Sequence, residues 1–396
     1  MKLLCILLIS TLASLIPGQL IRFSFSQSPG AITITDILVS ITVLFFLIWA
    51  FLLKKSIKVP PRIFLAANLF ILAATSSTIL AADNFSRKEI VISSLFLVRF
   101  AFYFLITIVL YNIVRKKEVI KWINLFLSIG FVFIVVGIIQ FVIFPDLSFL
   151  ASYGWDPHQA RIVSTLLDPN FSGGIFTTII AFSISLFLYK KKSVYLALAV
   201  FSFFALVLTF SRSSYLATAF VILTIGVLKS PKVIISSLAV GLIAFLLIPQ
   251  TRSRIIGAVT FDETARARFI SWQNALTVFK DHPLFGVGFN TYRFAQGRYG
   301  FFSPGDFGGH SGAGTDSSLL LIAATTGIFG STFYIFLLIS ILQLFVKKAG
   351  SHFLHLASIA TFLGLIIHSQ FVNSLFFPQI MLLFWFIVGL VLAYDS

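Results

Sequence analysis

The chain has 396 residues, 58% of them hydrophobic and 11% charged, with a mean hydropathy of +1.02. Soluble domains carry about 25% charged residues, so a soluble globular fold is excluded and the chain reads as an all-α polytopic membrane protein, a single multi-spanning domain over 1–396. The formal charge of +16 is dispersed over short loops, which argues against nucleic acid as a partner, and Cys5, alone of its kind, excludes a disulfide framework or a thiolate metal cluster.

Apolar runs of about 20 residues, the length that crosses a bilayer, recur along the chain. Twelve candidate spans lie near 3–21, 33–53, 63–82, 92–114, 122–144, 171–189, 193–210, 213–229, 233–249, 317–341, 354–371 and 376–394. The first also has the form of a secretory signal, with Lys2 ahead of an apolar core. Basic clusters at Lys54/Lys55/Lys58/Arg62, Arg115/Lys116/Lys117/Lys121, Lys190/Lys191/Lys192, Lys229/Lys232 and Lys347/Lys348 all fall on one side if the N-terminus is inside. By the positive-inside rule that side is the cytoplasm. The expected location is then the inner (cytoplasmic) membrane of a bacterium, with a long periplasmic loop at 250–316 between spans nine and ten.

Arginine breaks this asymmetry. Apart from Lys88 and Lys280, the lysines are cytoplasmic, whereas only Arg62 and Arg115 among the arginines are. Topology needs basic residues inside, so arginines kept outside suggest a second use. A guanidinium fork holds phosphate or carboxylate through two hydrogen bonds, which an ammonium cannot do.

Taken in chain order, Arg161 opens the outer segment that leads to Asp168-Pro169-Asn170, where either Asp168 or Asn170 suits a helix cap. Arg212 sits in Ser211-Arg212, a two-residue connection between apolar runs and a place where an ionisable group is a functional candidate. In the long loop, Thr260 and Glu263 have capping-box spacing, and Phe269, Trp272, Leu276 and Phe279 make an apolar stripe that Pro283 ends. This predicts an amphipathic helix on the membrane or over the bundle, with Arg266 and Arg268 near its N-terminus and Arg268 addressing a substrate phosphate. His310, among Gly308, Gly309, Gly312 and Gly314, is a candidate general base near neutral pH. Asp316 heads the next span, where capping alone is a sufficient reason for it. His158 has no clustered partner in sequence. No metal-ligand spacing or Walker loop occurs outside the spans, so neither metal nor cofactor is expected.

In this order on this topology, Arg161 with Asp168-Pro169-Asn170, Ser211-Arg212, Arg268 with Trp272, Asp281-His282-Pro283-Leu284-Phe285-Gly286-Val287-Gly288 and Gly327 with Gly330 resemble the O-antigen ligase and O-antigen polymerase superfamily of bacterial envelope glycosyltransferases. The resemblance implies transfer of a glycan from undecaprenyl diphosphate to a hydroxyl of a glycan or lipid A-core acceptor. It further implies an inverting, metal-independent reaction at the periplasmic face, with Arg161, Arg212 and Arg268 on the diphosphate and His310 or Asp316 as base. The ligase branch writes His where this chain has Asp316, nine residues and a serine ahead of Gly327, which inclines the reading towards a polymerase-type member. The rival from another class is a non-enzymatic flippase or exporter of lipid-linked polysaccharide. It would need ionisable residues in mid-span, for which Arg99 and His368 are the candidates.

Overall fold

The computed structural model describes residues 1–24, 30–302, 312 and 314–396. Helix α1 (Lys2–Ala13) leads into an antiparallel ribbon, β1 (Arg22–Ser24) against β2 (Ala31–Thr33), with Arg22 opposite Thr33. Then follow α2 (Ile34–Leu52), α3 (Pro61–Leu80), α4 (Arg87–Ile113), α5 (Val119–Ile143), α6 (Pro169–Lys190), α7 (Ser193–Val207), α8 (Arg212–Leu228) and α9 (Lys232–Leu247). Three helices, α10 (Pro249–Val259), α11 (Glu263–Asp281) and α12 (Tyr292–Arg298), occupy the segment expected as one long loop, before α13 (Ser318–Val346), α14 (Phe353–His368) and α15 (Pro378–Asp395).

Among the described residues, seven helices are long and apolar enough to cross a membrane: α2, α3, α4, α5, α6, α13 and α15. Each expected span contains a helix, but α1, α7, α8 and α14 are shorter apolar helices, and α9 with α10 forms one apolar unit bent by 102°. A helix rises about 1.5 Å per residue against a hydrocarbon core of about 30 Å. By length alone, therefore, the expected count of twelve is not reached. The bend falls at Pro249, whose ring cannot continue the helix it follows and starts the next one.

The centre of the bundle is α15, buried on almost every side, with α6 beside it. Lipid is as apolar as leucine, so these helices are held by close packing and internal hydrogen bonds rather than by exclusion from water. Phe100 and Phe104 of α4 meet Trp385 of α15 edge-on at 5.9 and 5.2 Å, and Thr107 Oγ1 donates to the Trp385 carbonyl at 2.9 Å.

Capping sets where several helices begin. Thr33 with Asp36 and Ser86 with Glu89 form capping boxes on α2 and α4. Asp168 rather than Asn170 caps α6, its Oδ1 accepting from the amides of Asn170 and Phe171 at 2.7 and 3.2 Å. One expectation fails. The cap of α11 is Asp262, which accepts from the Ala265 amide at 3.0 Å, while the Thr260 hydroxyl donates back to Ile256 at the end of α10. The cap of α13 is Ser317, so Asp316 is not spent on that duty.

Helix α11 is also turned relative to the expected stripe. Its buried residues are Ala275 and Val278, which cluster with Leu321 and Ala324 of α13, while Phe269 and Leu276 are exposed. Small residues allow the closer approach to α13, and they win over the larger side chains.

The glycine motifs explain how this layer docks. Gly327 interrupts α13 with φ 63° and ψ −161°, a conformation essentially reserved for glycine. Segment 283–288 fits into the break: the Ile328 amide donates to the Pro283 carbonyl at 2.8 Å, and Gly288 to Thr325 at 3.0 Å. A Cβ on Gly327 would fall on the Leu284 backbone, and one on Gly286 on the Thr325 backbone. Ser77 of α3 donates to the carbonyls of Phe285 and Thr325, locking the joint from behind.

Candidate active site

A cavity of about 280 Å³ lies where the N-terminal ends of α2, α6, α13 and α15 meet, at the ends of these helices opposite their lysine clusters. Helix N-termini carry partial positive charge and unpaired amides, so the location favours an anion before any side chain is counted. Arg268, Asp316, Asp168 and Asn170 line it, as do Arg99 and two arginines given no role from the sequence, Arg22 and Arg293.

Helix α11 positions the central pair. Ser271, one turn after Arg268, accepts from the Asp316 amide at 3.0 Å, and Trp272 Nε1 reaches the Asp316 carbonyl at 3.5 Å. These contacts hold the backbone of Asp316 beside the helix that presents Arg268. Burial pushes the Asp316 carboxyl above its usual range; Arg268 opposes that shift, while Asp156 and Asp168 add to it. Burial likewise lowers Arg268, which Asp316 restores and Arg212 depresses further.

Arg161 and Arg212 do not line the cavity. Arg161 donates through Nε to the Thr209 carbonyl at 2.8 Å and through Nη2 to Phe210 at 3.2 Å, bracing the turn between α7 and α8. Burial first and Arg254 second bring it down to about 10, so it stays charged at neutral pH. Arg212 Nη1 meets both Asp262 carboxylate oxygens at 3.0 Å, and its Nη2 is buried with no hydrogen-bond partner among the described residues. The field nevertheless joins the three: Arg161 senses Arg268, and Arg268 senses Arg212. His310 lies outside the described residues.

Asn170 ties this region together. Its Oδ1 accepts from Ser211 at 2.7 Å, and its carbonyl from Ser214 at 3.2 Å and the His368 ring at 3.1 Å. His368 is thus hydrogen-bonded inside the bundle. Arg99 is also satisfied, by Asp36 at 2.8 Å and the Ala31 carbonyl at 2.7 Å.

The fold brings His158 to Asp156 and Asp168, one possible ligand atom from each lying within 4.8 Å of the others, although the sequence shows it isolated. Arg161 and Arg254 face the imidazole, which burial and Arg161 lower to about 4. That field opposes a divalent cation, and Asp168 Oδ1 is already occupied by two amides.

Arg22 and Arg293 had no local motif to announce them. The retention of arginine on the outer side included both, but only folding brings them to one wall.

No curated protein matches the chain. Residues 196–335 match a family model described as O-antigen ligase, a segment that runs from α7 into α13 and contains Arg212, Arg268, Arg293 and Asp316. Over that segment the chain is similar to the O-antigen ligase family, and its apolar helices fit a multi-pass membrane protein.

Proposed function

We propose that this protein transfers a glycan from undecaprenyl diphosphate to a hydroxyl of a glycan or lipid A-core acceptor, at the periplasmic face of the bacterial inner membrane. The observation that carries the reading is the shared cavity wall of Arg268 and Asp316, at a convergence of helix N-termini. The acceptor oxygen attacks the anomeric carbon from the face opposite the leaving group, which inverts it. Asp316 or His310 takes the hydroxyl proton as the new bond forms. The bond from the anomeric carbon to the diphosphate oxygen breaks, and its electron pair leaves with the lipid diphosphate.

Arg268 stabilises the charge that develops on that oxygen, with Arg161 and Arg212 adding to the field from the α7–α8 turn. Guanidinium groups and helix N-termini supply the positive charge, and no metal is invoked. The flippase or exporter reading receives less support, since Arg99 and His368, its mid-span candidates, are both held in internal hydrogen bonds. Asp316 at the base position favours polymerase over ligase.

Two experiments test this. Full glycan transfer by Arg161→Ala, Arg212→Ala and Arg268→Ala, each present at normal level, would remove the diphosphate clamp. In a deletion strain, accumulation of single repeat units identifies a lost polymerase, and intact lipid-linked polymer a lost ligase.

A further inference from the structure

We infer that the groove between α7 and α9 binds an anionic phospholipid, with its phosphate at Lys191 and Lys232 and an acyl chain lying along the helices. The polar end of this groove is at the opposite end of α6 from the candidate active site, so the inference does not depend on the proposed transfer reaction.

The groove exists because α9 leans to one side. Near its start α9 is pressed onto α8, where Ile234 occupies the space that a Cβ on Gly226 would need. Over its whole length it buries no residue, and α8 and α10 are its main neighbours. A space of about 620 Å³ is left between α9 and the pair α6 and α7. Val200 and Phe204 of α7 form one wall, and Val240 and Ala244 of α9 another. A bilayer core holds no water to fill an apolar space of this kind, and a hydrocarbon chain suits it.

The two ends of the groove differ. Lys191 is the C-cap of α6 and Lys232 is the first residue of α9, and both line the groove together with Ser230. The far end, at Leu247 and Ile248, is apolar. A cavity that is cationic and hydroxyl-bearing at one end and apolar along the rest has the polarity of a phospholipid, headgroup first and chain behind.

Charge complementarity selects an anionic headgroup. Lys190, Lys191, Lys192, Lys229 and Lys232 all lie in the connections at this end, and no Asp or Glu occurs between Asp168 and Asp262 to answer them. Among the described residues neither Lys191 nor Lys232 forms an ion pair with a carboxylate. An anionic lipid in the leaflet that this end faces supplies the missing charge, and each lysine beside it strengthens binding about fivefold. The polyprenyl diphosphate of the proposed donor fits less well. Its charge belongs at the N-terminal end of α6, which 22 helical residues place about 33 Å from Lys191.

The test uses the full chain, delipidated in a neutral detergent, with phosphatidylglycerol and phosphatidylcholine of identical acyl chains as probes. Native mass spectrometry gives the affinity of the first lipid bound. Phosphatidylglycerol should bind about twenty-five-fold more tightly than phosphatidylcholine, and a variant carrying Lys191→Gln with Lys232→Gln should lose that preference. Lys54→Gln with Lys55→Gln, which removes the same charge at another cluster, should change it less than about twofold. Ala244→Trp, which fills the groove and keeps both lysines, should weaken phosphatidylglycerol binding at least about fivefold. If the first pair melts early, Lys191→Arg with Lys232→Arg keeps the charge and should retain the preference.

Equal binding of the two lipids by the wild-type chain overturns the site, as does a preference that survives in the folded Lys191→Gln and Lys232→Gln chain. Wild-type affinity in Ala244→Trp also overturns it, because the headgroup would then bind without the groove. A polyprenyl diphosphate that displaces phosphatidylglycerol one for one, from Arg268→Gln as well as from the wild-type chain, assigns the groove to the donor's tail instead.

Discussion

Ser271 accepts the Asp316 amide at 3.0 Å, one helical turn beyond Arg268. Through this bond a helix outside the long spans holds the head of α13 and places a cation and a carboxylate on one wall. Ser271→Ala should keep the fold and lose the restraint. One neutral hydrogen bond contributes about 1 kcal/mol, so we expect kcat to fall about five- to tenfold with donor KM nearly unchanged. A change in KM alone would mean that the bond serves donor binding instead.

Arg268→Gln should lower kcat/KM by about 10²–10³, the cost typical of removing one donor to a developing oxyanion. It should also move the pH profile. Burial raises the Asp316 carboxyl and Arg268 opposes that shift. The ionised base exists above its pKa, so activity is lost as pH falls through that value, above the ordinary aspartate range. Removing the guanidinium raises the carboxyl further, and the acidic limb must move to higher pH. A limb that stays put, or moves down, would show that another group titrates there.

Asp262→Asn tests the restraint on Arg212. Asparagine is about as good a helix cap as aspartate, so α11 should persist. The two-oxygen contact to Arg212 Nη1 is weakened. This pair is partly exposed on the Asp262 side, which limits its worth to about 1 kcal/mol. Donor affinity should therefore rise by up to about fivefold, measured by equilibrium binding of the lipid-linked donor. Weaker binding would mean that Asp262 is needed to hold Arg212 in place.

Gly327→Ala should destabilise the protein by about 1–3 kcal/mol from backbone strain alone, with the steric conflict against Leu284 in addition. The thermal midpoint in detergent reports it. Gly350, with open space around its Cβ, is the control whose alanine variant should melt like the wild-type chain.

The long apolar runs were legible because hydropathy is local: each of them became a helix. What could not be read locally was decided by competition between neighbours. Thr260 and Glu263 had the spacing of a capping box, yet Asp262 caps α11 because its carboxylate also serves Arg212. Asp316 looked like a cap until Ser317 took that place and left the carboxyl to the cavity. Phe269 and Leu276 gave α11 its apparent apolar face, but contact with α13 went to Ala275 and Val278. Arg268 and Asp316 were visible within one stretch. Arg22 and Arg293 are far apart in the chain, and only the ribbon and α12 bring them to the same wall.

The most direct measurement is glycan transfer by the purified full chain, with a lipid-diphosphate-linked donor, a hydroxyl acceptor, a chelator and no energy source. The proposed function predicts that glycan appears on the acceptor with an equal amount of free lipid diphosphate. It also predicts that Asp316→Asn or His310→Ala abolishes transfer while donor binding persists. Donor that binds but never reacts would contradict the enzymatic account, and full activity in both variants would put the base elsewhere.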